Sequence, residues 1–176
     1  MNDYKTAKVI HDGGHARFMA RGHWEYVERR RTTQAVVVMA VTDDDRLLLV
    51  EQYRPAVAAN VIEPPAGLVG DIRGEEAEAE LEAAKRELHE ECGYRAETWR
   101  RLIAGPPEPG LVNQHVVFYE ARDLTREHDG GGDESETILV HAVPRDGLES
   151  WLQSKRDAGV LVDPKLYIGL YWMAQG

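Results

Sequence analysis

Cysteine is almost absent. One residue, Cys92, rules out an internal disulfide, so a reducing, cytoplasmic setting is expected. Cys92 itself is expected to be a packed thiol on the apolar side of a helix. Long apolar runs are also missing. The longest, 35–41 and 47–50, fall far short of the ~20 residues that cross a bilayer. The N-terminal region is charged and glycine-rich at 11–17, without the apolar core of a signal peptide. Positive charge is in deficit: Lys and Arg total 21 against 31 Asp and Glu, a formal net charge of −10. A nucleic-acid surface needs a basic stripe, so neither nucleic acid nor membrane is an expected partner. Internal repeats are lacking too, as is any long linker.

What is present fits a globular chain. Its 176 residues are 43% hydrophobic, enough for a real core. Alternation over 24–31 predicts a strand, and the valine-rich segment 35–41 a buried one. Thr42-Asp43-Asp44-Asp45 predicts a turn, with 46–53 returning as the second arm of a hairpin. A short strand at 61–63 ends at Pro64-Pro65. A glycine-containing loop follows at 66–75, then a main helix at 76–92 capped by Gly93. Further strands are expected at 97–104, 114–121 and 137–143. The segment 106–110 is expected to be irregular, and 122–135 a polar, mobile loop. A short helix is expected at 147–155. Asp163-Pro164 should open a last helix that buries Leu166, Tyr167, Leu170 and Tyr171. Strands interspersed with few helices indicate an α+β fold with mixed pairing.

The acids concentrate at 71–91 and 129–136. Within the first group, Glu87, Glu90 and Glu91 share one sector of the main helix with Glu80. Leu81, Ala84, Leu88 and Cys92 form the adjoining apolar stripe. Like charges at this spacing repel by about 0.2–0.5 kcal/mol per pair. A hard, oxygen-seeking divalent cation would turn that cost into a binding site, which points to Mg2+ or Mn2+. His89 lies on the face away from these glutamates and is expected in solvent. His115 and His141 occupy strand positions and are expected to be packed.

The string Arg86-Glu87-Leu88-His89-Glu90-Glu91-Cys92-Gly93-Tyr94 resembles the Nudix box, G-x5-E-x7-R-E-U-x-E-E-x-G-U, where U is aliphatic. Glu78 stands at the required spacing before Arg86. Tyr94 replaces the final aliphatic residue, and Ile72 stands where the leading glycine belongs. With Gly67 as that glycine, five extra residues intervene. Loops absorb insertions cheaply, so the extra length is expected between 68 and 75, not in the helix.

Five further segments resemble ADP-ribose pyrophosphatases of this family, in the family's order. They are Trp24-Glu25-Tyr26-Val27-Glu28-Arg29, Glu51-Gln52-Tyr53-Arg54-Pro55, Glu63-Pro64-Pro65-Ala66-Gly67, Pro109-Gly110-Leu111-Val112-Asn113 and Asp133-Glu134-Ser135-Glu136. The resemblance implies a Nudix-type α/β/α sandwich with a mixed β-sheet and an N-terminal antiparallel strand subdomain. It implies a strand region at 1–34 for dimerisation and substrate binding, and a hydrolase domain at 35–176. Metal would be held by Glu87, Glu91, the Ala66 carbonyl and Glu90. Glu134 would be the general base, with Asp133 and Glu136 as competitors in the same loop and Glu136 assisting metal or water. Arg54 and Arg29 would contact phosphate, the latter in competition with Arg30 and Arg31. Trp24 would stack on adenine beside the Gly110-Leu111 loop.

The activity so implied is Mg2+-dependent hydrolysis of a nucleoside diphosphate sugar, ADP-ribose foremost, by a homodimer. UDP- or GDP-linked sugars are the alternative substrates. A non-catalytic ligand sensor is the alternative class, opposed by the complete glutamate set.

Overall fold

The computed structural model describes residues 4–70, 72, 74, 77–132 and 137–175. Three strands, β1 (Ala7–Asp12), β2 (Ala16–Arg21) and β3 (Trp24–Arg29), form a separate antiparallel sheet. The main body holds two four-stranded mixed sheets. One is built on β4 (Gln34–Ala40), and the other on β5 (Arg46–Arg54) with its neighbour β6 (Ala59–Glu63).

Alternation along β4 explains the layering. Ala35, Val37, Met39 and Val41 enter one apolar cluster, and Val36, Val38 and Ala40 enter another on the opposite face. Leu47 and Leu49 divide from Leu48 and Val50 in the same way along β5. A strand buried on both faces reads as a continuous apolar run, which is what this sequence carries. Helix α1 (Glu80–Cys92) covers one face through Ala83, Ala84, Leu88 and Cys92. Helices α2 (Leu148–Asp157) and α3 (Lys165–Met173) cover the other through Leu148, Leu152, Leu166 and Met173. The result is the expected α/β/α sandwich with an N-terminal antiparallel sheet. No helix among the described residues is long and apolar enough to cross a membrane.

Several local expectations are corrected. β4 and β5 do not form a hairpin ladder; their pairing is limited to a single Val41–Leu47 bridge. Both edges of β4 are taken, by β7 (Ala66–Leu68) on one side and β9 (His115–Arg126) in parallel on the other. β7 lies in what was expected to be loop. β9 runs beyond the expected 121, because β8 (Tyr94–Gly105) begins directly after α1 and offers it a long antiparallel partner. Residues 122–126 are therefore strand. The second sheet is completed by β10 (Ile138–Pro144) and by β11 (Leu161–Val162), which pairs in parallel with β6. α1 starts at Glu80 and leaves Glu78 outside it. Tyr167 and Tyr171 are exposed, and Gly169 and Met173 take their place against the core. The Tyr167 hydroxyl is occupied instead with Glu149 and Arg156. His115 is exposed, while His141 is largely covered, with Glu51 at 2.9 Å.

Gly93 ends α1 as expected, with φ +78° and its N–H bonded to the His89 carbonyl. A β-carbon there would also lie 2.2 Å from the His128 carbonyl oxygen. The left-handed conformation alone costs an alanine about 1–2 kcal/mol. Gly93→Ala should therefore destabilise the fold by more than about 2 kcal/mol, read by urea unfolding. A midpoint equal to the native one would contradict this reading of the cap.

Candidate functional site

α1 presents its acids unevenly. Its apolar stripe seats the helix, which carries Glu87 and Glu91 inward to 8% and 3% exposure and leaves Glu90 more open. β7 passes directly beneath. A β-carbon on Gly67 would sit 1.9 Å from Glu87 Oε1, so any larger residue would displace the Glu87 carboxylate from this place. The Ala66 N–H donates to Glu91 Oε2 at 3.0 Å. In an antiparallel ladder the N–H and C=O of one residue leave on the same side, so the Ala66 carbonyl also faces away from β4. Glu80 lies elsewhere, 3.5 Å from Arg101.

Arg86 binds this group together. Its Nη1 lies 2.7 Å from Glu87 Oε1 and 3.1 Å from Glu90 Oε2. Its Nε and Nη2 reach Glu78, and Nη2 also donates to the Leu68 carbonyl. Burial opposes the guanidinium's charge, but Glu78 and Glu87 outweigh it and hold the group protonated. Burial likewise would raise the Glu78 carboxyl. Hydrogen bonds from Arg86 and the Gly70 amide prevail and keep it below the ordinary 4.5. Burial, then the charge of Glu91, push the Cys92 thiol well up, as expected of a packed rather than a reactive cysteine.

The glutamates line a cleft of about 340 Å³. Its other walls include Arg29, Arg54, Glu63, Gly67, Gln114 and Lys165. Arg29 is thus the arginine of its run that meets the cleft, while Arg30 turns to the Gly13 carbonyl and Asp12. A larger hollow of about 790 Å³ flanks α1 on the side of Lys85 and Trp99, but contains none of Glu87, Glu90 and Glu91. Trp24, Gly110 and Leu111 do not line the cleft. Trp24 is 52% exposed and donates from Nε1 to the Gly110 carbonyl, while the Val27 N–H donates to the Leu111 carbonyl. Glu134 and Glu136 lie outside the described residues. The described chain leads up to them at Gly132, which lines the cleft and bonds the Glu90 carbonyl.

Glu63 and Lys165 were not singled out as site residues from the sequence. Glu63 stood within the Glu63-Pro64-Pro65-Ala66-Gly67 resemblance, and Lys165 only follows a helix start. Glu63 is 7% exposed. Burial raises its carboxyl; Arg54 opposes the rise and Asp163 adds to it.

Among the described residues, no three acidic or imidazole groups close on a single point. The donor set still fits a hard cation. Two buried carboxylates lie one helical turn apart, a third lies at the rim, a backbone carbonyl is adjacent, and the absent β-carbon of Gly67 leaves its place to the Glu87 carboxylate.

A model of the NUDIX domain matches residues 31–161. The chain belongs to the Nudix family. The residues that resemble its box run from Glu78, just ahead of α1, to Gly93 at its end, and Gly67 lies beneath Glu87. The Nudix chain is 30% identical over 127 residues to a methanol dehydrogenase activator of Bacillus methanolicus, covering 72% of this chain and 64% of that protein. It is 34% identical over 131 residues to an ADP-sugar pyrophosphatase of Mus musculus, covering 68% and 56%. The chain thus spans between about half and two thirds of the length of these curated relatives. A solved ADP compounds hydrolase shares the fold, with TM-score 0.72, 21% identity, and coverage of 97% and 91%.

The staple between Glu78 and Arg86 can be tested through stability. A carboxyl held below its unfolded value stabilises above pH 4.5, and that contribution is lost as pH falls through the lowered folded value. Glu78→Gln should lower the melting temperature near neutrality, with the gap to the native protein closing as pH falls below 4.5. A gap of constant size across that range would refute it.

Proposed function

We propose that this Nudix protein hydrolyses the diphosphate linkage of a nucleoside diphosphate sugar, with ADP-ribose the first choice. Water adds across the P–O–P bridge, and the products are AMP and ribose 5-phosphate. The observation that carries the reading is the pair of buried carboxylates, Glu87 and Glu91, facing cations across one small cleft. The resemblance of the Arg54 and Ala66 segments to ADP-ribose pyrophosphatases supports the choice of substrate, as does the ADP-sugar pyrophosphatase relative.

Glu87, Glu91, the Ala66 carbonyl and Glu90 would hold Mg2+ or Mn2+. Such an ion supplies charge neutralisation at the diphosphate and a lowered pKa for water. Arg29 and Arg54 would take phosphate oxygens, for which the guanidinium fork is suited. Glu134 would accept the proton of the attacking water, with Glu136 in support. Cytoplasmic residence suits the single buried Cys92.

The decisive experiment is a hydrolysis panel of ADP-ribose, UDP- and GDP-sugars with Mg2+ and with Mn2+, products resolved by chromatography. AMP release from ADP-ribose is expected. Glu87→Gln, Glu91→Gln and Glu134→Gln should each lower kcat by on the order of 10²-fold or more. Near-native turnover in the first two would break the metal assignment, and in the third it would move the base elsewhere. Binding without turnover by the native protein would favour the sensor.

The strand region 1–34 would serve a homodimer, and 35–176 the hydrolase domain. Trp24 is exposed and lies outside its own chain's cleft, so it is available to stack on adenine in a partner's cleft. Light scattering at micromolar concentration should give twice the 19.8 kDa chain mass. A mass of one chain would count against the dimer.

A further inference from the structure

We infer that Glu63 is a positioning residue for substrate binding, which draws the Arg54 guanidinium back over the cleft and holds it there. The inference rests on the functional reading above and adds a residue to its binding machinery.

Strand register supplies the first argument. Arg54 stands opposite Ala59, whereas Glu63 stands opposite Val50, four residues back along β5. Positions of the same parity share a face, so Val50, Arg54 and Glu63 all point to the α1 side. An arginine at the strand end would otherwise extend into solvent. Here its Nε reaches Glu63 Oε2 at 2.6 Å, so the side chain folds back along its own strand towards the glutamates. That single bond uses Nε. The terminal nitrogens have no hydrogen-bond partner among the described residues, and Arg54 lines the cleft. A guanidinium anchored by Nε keeps its other donors for an incoming anion.

The surroundings of Glu63 supply the second argument. The parallel register Ile62–Val162 brings Asp163 beside Glu63 on the next strand, and the Asp163 N–H donates to the Ile62 carbonyl. Two carboxyls side by side repel unless they share a proton, and Glu63 is raised by burial and by this neighbour. Asp163 is held in turn by Lys165, through both its amide and its ammonium. A buried carboxyl next to another, paired with an arginine that is two-fifths exposed, is a poor source of stability. What the arrangement does secure is the direction of one guanidinium. Groups that burden stability at a cleft are expected where position matters for binding.

The test uses Glu63→Gln, Arg54→Ala and the double variant. ADP-ribose binding is measured by calorimetry with metal chelated, ADP-ribose hydrolysis with Mg2+ by steady-state kinetics, and folding by thermal melting. Glu63→Gln should weaken ADP-ribose binding roughly tenfold, as expected for a charged hydrogen bond misdirected. KM should move more than kcat, and the melting temperature should hold or rise. The double variant should bind no more weakly than Arg54→Ala, since Glu63 acts through that residue. Additive losses in the double variant would overturn the inference. So would native-like binding by Glu63→Gln while the native protein cleaves ADP-ribose. So would a lowered melting temperature with KM unmoved, which marks a purely structural ion pair. A native protein that neither binds nor cleaves ADP-ribose or the other nucleotide sugars would instead remove the functional reading, and this inference with it.

Discussion

Two carboxylates, Glu87 and Glu91, sit inside the fold on one helix face, and much of the neighbouring structure answers to that fact. Burying charge costs several kcal/mol per group unless partners are close. The Ala66 amide is one partner and the Arg86 guanidinium another. The first depends on β7 lying directly under α1, where Gly67 has no β-carbon to displace the Glu87 carboxylate. β7 is held there because β4 offers it an edge. The pairing of β4 with β7 and β9, which denies β4 a hairpin with β5, is thus also what sets the carbonyl and amide of Ala66 beside the glutamates.

Arg86 connects this arrangement to the added length before the helix. Its guanidinium is shared among Glu78, Glu87, Glu90 and the Leu68 carbonyl. Glu78 also accepts from the Gly70 amide, so both ends of the segment between β7 and α1 are tied to one arginine. The chain between these ties can vary in length without rotating the helix, since closing a longer loop costs only a slowly growing entropy. At the far end, Gly93 turns the chain out of α1. Gly131 and Gly132 then donate to the Glu91 and Glu90 carbonyls. The last turn of α1 is therefore satisfied by the segment that leads on to Glu134 and Glu136.

The helix, its glutamates and its cap were legible because each is a local property: spacing on one face, then a glycine. The layered fold was legible from strands apolar on both faces and from the family resemblance. Strand partnership was not. A valine-rich run states that both faces are buried but not whose edge it takes, so β4 was expected beside β5. β7 is three residues long and carries no periodicity. The last helix misled because tyrosines at helical spacing count as apolar, while the Tyr167 hydroxyl meets Glu149 and Arg156 outside the core. Within the site, Glu87, Glu90, Glu91, Ala66, Arg29 and Arg54 do meet in one cleft. Lys165 and the role of Glu63 were hidden because they arise from register between β5, β6 and β11, distant in sequence and silent in any single segment.

The cleft's charge pattern bears on how so acidic a protein would admit an anion. At a formal net charge of −10, the chain repels a diphosphate at long range. Three glutamates form one wall, and alone they would add to that repulsion. Arg29 and Arg54 line the same small cleft, whereas the Lys165 ammonium is held by Asp163, so the favourable field is local and falls away within about 10 Å in salt. Arg86 neutralises part of the acidic wall from within, but it is also spent on Glu78 and is not free to serve an incoming phosphate. A divalent cation on the glutamates would cancel most of that wall's negative charge and leave the cations as the dominant charge of the cleft. Under the proposed function, the acidic helix and the distant arginines act as one device, since neither wall alone is suited to a diphosphate.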